Sequence, residues 1–180
     1  LFLRQINGLN RRPLPRLETR RNLPSTFAMT PYQALDPFDW LGLLTLIHSA
    51  FAGMEGRIDP PSSLHRLTPD VIANQSREGE IWVIGAPPFA CVFLTPQPDT
   101  LYVGKLAVHP TLQGQGHARR LLDLAAIRAK ALGFAGLELQ ARVELLENHV
   151  VFKRLGFAQI AATCHPGFDK PTSLTFRKTL

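Results

Sequence analysis

Residues 101–122, LYVGKLAVHPTLQGQGHARRLL, constrain this chain more than any other stretch. Leu101, Tyr102, Val103, Leu106, Ala107 and Val108 form an apolar, partly β-branched run suited to a buried strand. Pro110 ends it, because proline has no N–H to give to a ladder. Gln113, Gly114, Gln115 and Gly116 make a small loop, after which Leu121, Leu122, Leu124, Ala125, Arg128 and Leu132 continue at helical spacing. The loop therefore leads into a helix N-terminus, with unpaired N–H groups and the positive pole of the helix dipole. Glycines there let an anion approach the backbone. The physical expectation is a cradle for phosphate or pyrophosphate.

Two familiar cradles fail on residue type. A Walker-type loop needs Gly-Lys-Ser/Thr, whereas Gly116 is followed by His117 and Ala118. A dinucleotide fingerprint needs a third glycine where Arg119 stands, and its strand lies too far upstream. A third pattern fits: Gln113, two residues, Gly116, one residue, Ala118, preceded by Val108-His109-Pro110. It resembles the coenzyme A signature of the GNAT superfamily of N-acetyltransferases. Glu147-Asn148-His149, Phe152 and Leu155-Gly156-Phe157 resemble that superfamily's second motif, about 30 residues further on.

Charge narrows the function classes. Residues 1–28 hold six arginines and one acid, Glu18, a net +5, while the remainder holds 14 bases and 13 acids, a net +1. The main body thus offers no electrostatic case for nucleic acid. No apolar run approaches a membrane span, since residues 40–52 are interrupted by Gly42, Thr45, His48 and Ser49. Cys91 and Cys164 lack metal spacing and are expected to be reduced packing thiols in a cytoplasmic protein. No metal site is expected.

Residues 1–28 are expected to form a flexible basic extension before a domain over 29–180. They lack a sustained period and carry Gly8, Pro13, Pro15 and Pro24. The first Met is Met29, so this segment reads first as upstream translated sequence without a role of its own. A targeting peptide or a basic arm for an anionic surface are the alternatives; the single Ser25 argues against targeting.

A first strand is expected over 27–35, then a helix over 37–52 capped by Asp36 with Pro37 at its first position. Its apolar side would carry Phe38, Leu41, Leu44, Thr45, Ile47, His48 and Phe51. A second helical region ends near Glu78, with Thr68-Pro69-Asp70 as a start and Val71, Ile72 and Gln75 on one face. Strands over 80–84, 89–95 and 101–108 read as an antiparallel meander, followed by a helix over 114–132 that stops at Gly133. A strand over 136–141 then implies a parallel crossover. A helix over 144–155 and strands over 157–163 and 173–178 complete the chain.

That order is similar to the α+β GNAT-like (acyl-CoA N-acyltransferase) fold, a mixed central sheet of about seven strands flanked by about four helices. The resemblance implies an enzyme transferring the acetyl group of acetyl-CoA to a primary amine by direct attack in a ternary complex. It implies that the backbone of Leu106, Ala107 and Val108 pairs with the pantetheine arm, that the N–H groups of Gln113, Gly114, Gln115, Gly116, His117 and Ala118 hold the pyrophosphate, and that Asn148 flanks the lower arm. It also implies that the Val108 N–H polarises the thioester carbonyl. Many family members carry a Tyr, the acid for the leaving thiolate, where this chain has Phe152. Tyr102, Cys164 and His165 are the substitutes named by location. Glu138 and Glu80 are candidate bases acting through a water, and His165 lies in a loop expected near the acceptor. The acceptor would be a small-molecule or peptide amine, and the family admits a homodimer. The missing Tyr also raises the alternative of a CoA-binding sensor or interaction module without turnover.

Overall fold

The computed structural model describes residues 29–180. The expectations for residues 1–28 lie outside the described residues.

Seven strands form one mixed sheet in the order β1-β2-β3-β4-β5-β7-β6. The strands are β1 (Tyr32–Gln33), β2 (Glu80–Ile84), β3 (Ala90–Pro96), β4 (Leu101–Val108), β5 (Gly136–Arg142), β6 (Ala158–Thr163) and β7 (Ser173–Thr179). The helices are α1 (Trp40–Phe51), α2 (Pro69–Glu78), α3 (His117–Ala131) and α4 (Leu146–Arg154). β2, β3 and β4 form the expected antiparallel meander. α3 then carries the chain across to β5, which pairs with β4 in parallel. This is the seven-strand, four-helix arrangement that the motif order implied.

Alternation sorts the sheet's side chains between two cores. Val92 and Leu94 of β3 join Val103, Leu137, Leu139 and Phe176 beneath α3 and α4. Cys91 and Phe93 of the same strand join Ile81, Val83 and Ala107 beneath α1 and α2. β3 is buried on both faces from Ala90 to Leu94. The α1/α2 cluster draws on β2, β3 and β4 but takes no residue from β5, β7 or β6. On that same face β5 turns Glu138 and Gln140, and β7 turns Thr175 and Arg177 beside them.

Several local expectations shift. The first strand is only Tyr32–Gln33. α1 starts at Trp40, and its cap is Asp39, whose carboxylate accepts from the Gly42 N–H at 2.8 Å. Asp36 instead accepts from the Trp40 indole at 2.8 Å and from Arg77 at 2.9 Å. α1 buries Leu43, Leu46 and Ile47, whereas Leu41 is 64% exposed. The helix is apolar nearly all round, so periodicity leaves its phase open and contact with the sheet decides it. Thr68 does cap α2, accepting from the Val71 N–H at 3.3 Å, but Val71 itself faces outward while Ile72 and Ala73 are buried. Cys164 is exposed rather than packed. Cys91 is fully buried, and burial pushes its thiol up to about 12, which removes it from nucleophilic chemistry.

Candidate active site

The site is built where β4 and β5 part. Their pairing is confined to Leu101↔Leu137 and Tyr102↔Glu138, although β5 continues paired to β7 as far as Arg142↔Ser173. Beyond Tyr102, β4 therefore runs on with its β5-facing edge unpaired. A β-bulge helps turn it away. Two steps of β3, from Cys91 to Phe93, oppose three steps of β4, from Ala107 to Gly104. The extra residue falls at Lys105, whose φ of 44° is left-handed. The Cys91 thiol donates to the Lys105 carbonyl at 3.6 Å, and the Lys105 ammonium donates to Gln75 Oε1 at 3.2 Å over the Phe93 ring. Burial lowers the Lys105 pKa.

At the far end of β4 the His109 N–H donates to the Phe89 carbonyl at 2.8 Å. Strand alternation then turns the N–H and carbonyl of Val108 the other way, toward the open side. The Gln113 side chain donates to that carbonyl at 3.2 Å, tying the loop to the strand end.

The loop itself differs in one respect from expectation. The Gln113 N–H is spent on the Pro110 carbonyl at 3.4 Å, so Gln113 contributes its side chain to the loop's shape rather than an open amide. Among the described residues, the N–H groups of residues 114–119 donate to no backbone carbonyl; the first helical bond is from Arg120 N–H to Gly116 O at 3.0 Å. The open row thus extends one residue beyond the expected one, to Arg119. α3 begins at His117, not at Gly114, with Gly116 as a cap that lends no side chain. Gly114 and Gly116 have φ of 75° and 83°, and a Cβ at either would meet no protein atom within 4 Å. Their glycines serve conformation, and the space in front of them is open. His117 contributes its amide to this row, while its ring is buried against Phe89 with Nδ1 unpaired.

Tyr102 stands at the fork. Its ring leans over Gly104. Burial raises the phenol's pKa above its ordinary value of 10.0, a hydrogen bond from the Gln140 backbone N–H works against this, and the Glu138 charge adds to it. Glu138 beside it is held by Arg177, whose Nε and Nη2 donate to Oε2 at 3.1 and 2.7 Å. Glu80 is not part of this site. It lies toward α3, gripped by Arg128 at 2.5 and 2.8 Å and by the Trp82 indole at 2.8 Å, and the Arg128 bonds hold its carboxyl below the usual range. His109 turns its Nδ1 to Thr111 at 2.9 Å, a local turn contact.

Asn148 is half-buried in the first turn of α4, where its N–H donates to the Leu145 carbonyl at 3.0 Å. Phe152 packs with Phe157 and Phe176, at centroid distances of 6.1 and 5.9 Å.

His165 lies apart from the fork, in the β6–β7 loop. Its Nδ1 is 2.5 Å from Thr172 Oγ1, which also accepts from the His165 backbone N–H at 2.9 Å. It lines a cavity of about 370 Å³ together with Gln140, Arg142, Ser173 and the α1–α2 connection. Gln140 is the link between the two places: its backbone meets Tyr102 and its residue lines the cavity. The connection is pinned there by the Asp59 N–H on Glu144 Oε1 at 3.0 Å and by Arg57 on Glu147 at 2.6 Å. Sequence reading missed this cavity, because its walls come from segments about 85 residues apart.

Residues 77–159 match the family model described as acetyltransferase (GNAT) domain. That match runs from the end of α2 to the start of β6 and takes in β4, the loop and α3. No curated protein matches the sequence. Among solved structures it is similar to an acetyltransferase from Streptococcus agalactiae, with 20% identity and a TM-score of 0.64 over 85% of this chain and 99% of that one. It is also similar to a GNAT family acetyltransferase from Elizabethkingia anophelis with acetyl-CoA bound, at 16% identity and a TM-score of 0.60, covering 85% and 99% of the two chains. A third is the ribosomal-protein-S18-alanine N-acetyltransferase from Escherichia coli, at 16% identity and a TM-score of 0.60, covering 83% and 94%. At these identities the likeness establishes the GNAT fold alone. Among the described residues no helix is long and apolar enough to cross a membrane.

Proposed function

We propose that this GNAT domain, over residues 29–180, transfers the acetyl group of acetyl-CoA to a primary amine. The observation that carries the reading is the open N–H row of residues 114–119 beside a β4 edge that β5 has left unpaired. These residues fit the group. The row, at a helix N-terminus with open space before two left-handed glycines, suits a pyrophosphate. The free edge at Leu106, Ala107 and Val108 suits an amide-bearing arm added as a strand. When bound, acetyl-CoA supplies an activated thioester. Asn148 and Phe152, on α4, would flank the lower arm.

The chain's own residues then have separable tasks. The Val108 N–H, turned to the open side, donates to the carbonyl oxygen. Tyr102 holds a proton at Oη for the departing sulfur. Burial favours the neutral phenol. His165, with Nδ1 engaged by Thr172, lines the acceptor side away from the fork, and the proton the amine sheds passes to water. Glu138, occupied by Arg177, orders the polar floor rather than taking that proton directly. Holding both reactants in line supplies several kcal/mol of the barrier.

Phe152 favours one other reading, a CoA-binding sensor, because a ring packed against Phe157 and Phe176 has no proton to give. A free-thiol release assay with acetyl-CoA and an amine panel, run beside CoA heat-shift, separates the two. Amine-dependent release establishes the transferase. A heat-shift without release across the panel favours the sensor, and neither signal rejects the site.

A further inference from the structure

The charged residues that line the cavity beneath the α1–α2 connection are Arg66 and Arg142, with His165, Gln140, Ser62 and Ser173 as the nearby polar groups; among the described residues no acidic side chain lines it. Arg142 is the unusual member. Its side chain is only 12% exposed, and Nε and Nη2 are buried without a hydrogen-bond partner, as is Glu144 Oε2, with which Arg142 forms a long ion pair. Glu144 is its closest carboxylate, at 3.7 Å from Nε, too long for a hydrogen bond. Glu144 meanwhile spends Oε1 on the Asp59 N–H, and although burial pushes its carboxyl up, that bond, its own N–H and Arg142 together hold it below the usual range. The two buried nitrogens are closed to a ligand, which leaves Nη1 as the nitrogen Arg142 can offer to the cavity. A guanidinium N–H donates to a carboxylate with the help of charge.

We infer that this cavity receives an anionic end of the acceptor, so that the acceptor is an amine that also carries a carboxylate, bound by Arg142 with Arg66 at the rim. This rests on the transferase reading and deepens it. The cavity's volume, about 370 Å³, suits a body the size of one amino acid. An adjoining cavity of about 330 Å³, lined by Phe51, Met54, Ile58 and Leu64, gives room for an apolar side chain. Gln140 joins the carboxylate end to the fork, where Tyr102 meets its backbone.

The test compares matched acceptors with and without the charge: leucine, leucinamide and isoamylamine, by thiol release with acetyl-CoA. Leucine is expected to show a KM at least about tenfold below the other two, from the charge-assisted bonds. Arg142→Met should erase that difference by raising the leucine KM, with the acetyl-CoA KM unchanged, and Arg142→Lys should restore part of it. Arg66→Gln, at an exposed position, should weaken the preference less and leaves the fold secure. A binding arm needs no turnover. N-acetylleucine titrated by calorimetry into the CoA-loaded protein should bind more tightly than N-acetylleucinamide, and Arg142→Met should remove the gap. Equal affinity for the two, or a preference that survives Arg142→Met in a folded protein, overturns the inference. Release with uncharged amines in preference to leucine overturns it while leaving the transferase standing. Failure of all CoA binding overturns the transferase reading itself.

Discussion

The two halves of one sheet face differ sharply. Over β2, β3 and β4, α1 and α2 cover a dry cluster in which Ile81, Val83, Cys91 and Leu43 are fully buried or nearly so. Over β5, β7 and β6 the same face carries Glu138, Gln140, Arg142, Thr175 and Arg177, and every residue of β6 is exposed. Tyr102 stands on the seam. The difference shows how this fold divides labour. Apolar burial anchors one half, and polar groups that pair with one another, Arg177 with Glu138 and Gln140 with Thr175, collect in the other.

The comparison makes separable predictions. Leu43→Ala, in the covered half, should cost about 3 kcal/mol of stability by denaturant unfolding, while turnover per folded molecule stays unchanged. A large catalytic loss would break the division. Tyr102→Phe, on the seam, should do the reverse, lowering turnover about 100-fold while stability changes by about 1 kcal/mol. Burial raises the phenol's pKa above its ordinary 10.0. Any Tyr102-dependent fall in activity should therefore have its midpoint above pH 10.0. A descending limb below that value which vanishes in Tyr102→Phe would remove it as the acid.

Gly116→Ala tests the loop beside the seam. It should cost about 1–2 kcal/mol of stability, since φ there is 83°, and reduce the CoA heat-shift by disturbing the N–H row. An undiminished shift would detach the row from CoA. The smallest change is expected from Phe152→Tyr, within about 1.5 kcal/mol as a near-isosteric swap. If turnover rises without loss of melting temperature, the α4 side of the cleft can also supply the proton. If melting falls steeply instead, the added hydroxyl has been forced into the Phe157–Phe176 packing.

The strand-loop-helix around β4 and α3 was legible from residue order because its signals are local. Alternation, a proline stop, two glycines and helical spacing each act within a few residues. The same locality explains Thr68 as a cap and the parallel return to β5. Residues within a turn of one another also sufficed to place Gly116 before an N–H row, though not to reveal that Gln113's own amide is spent on Pro110.

Tertiary structure decided the rest. α1 is apolar on most sides, so only its contact with the sheet chose Leu43 over Leu41. Glu80 and Glu138 look alike as strand carboxylates, and only their opposite faces, with Arg128 against one and Arg177 against the other, separated them. The bulge at Lys105 depends on register with β3, which no single strand encodes. Arg142 acquired its place last: it meets Glu144 Oε2 at 3.7 Å, while Glu144 Oε1 takes the Asp59 N–H of the α1–α2 connection drawn over β5. Backbone propensities and glycine geometry are properties of short segments, and so can be read in the sequence. Burial, pairing and charge compensation are properties of segments that meet only on folding.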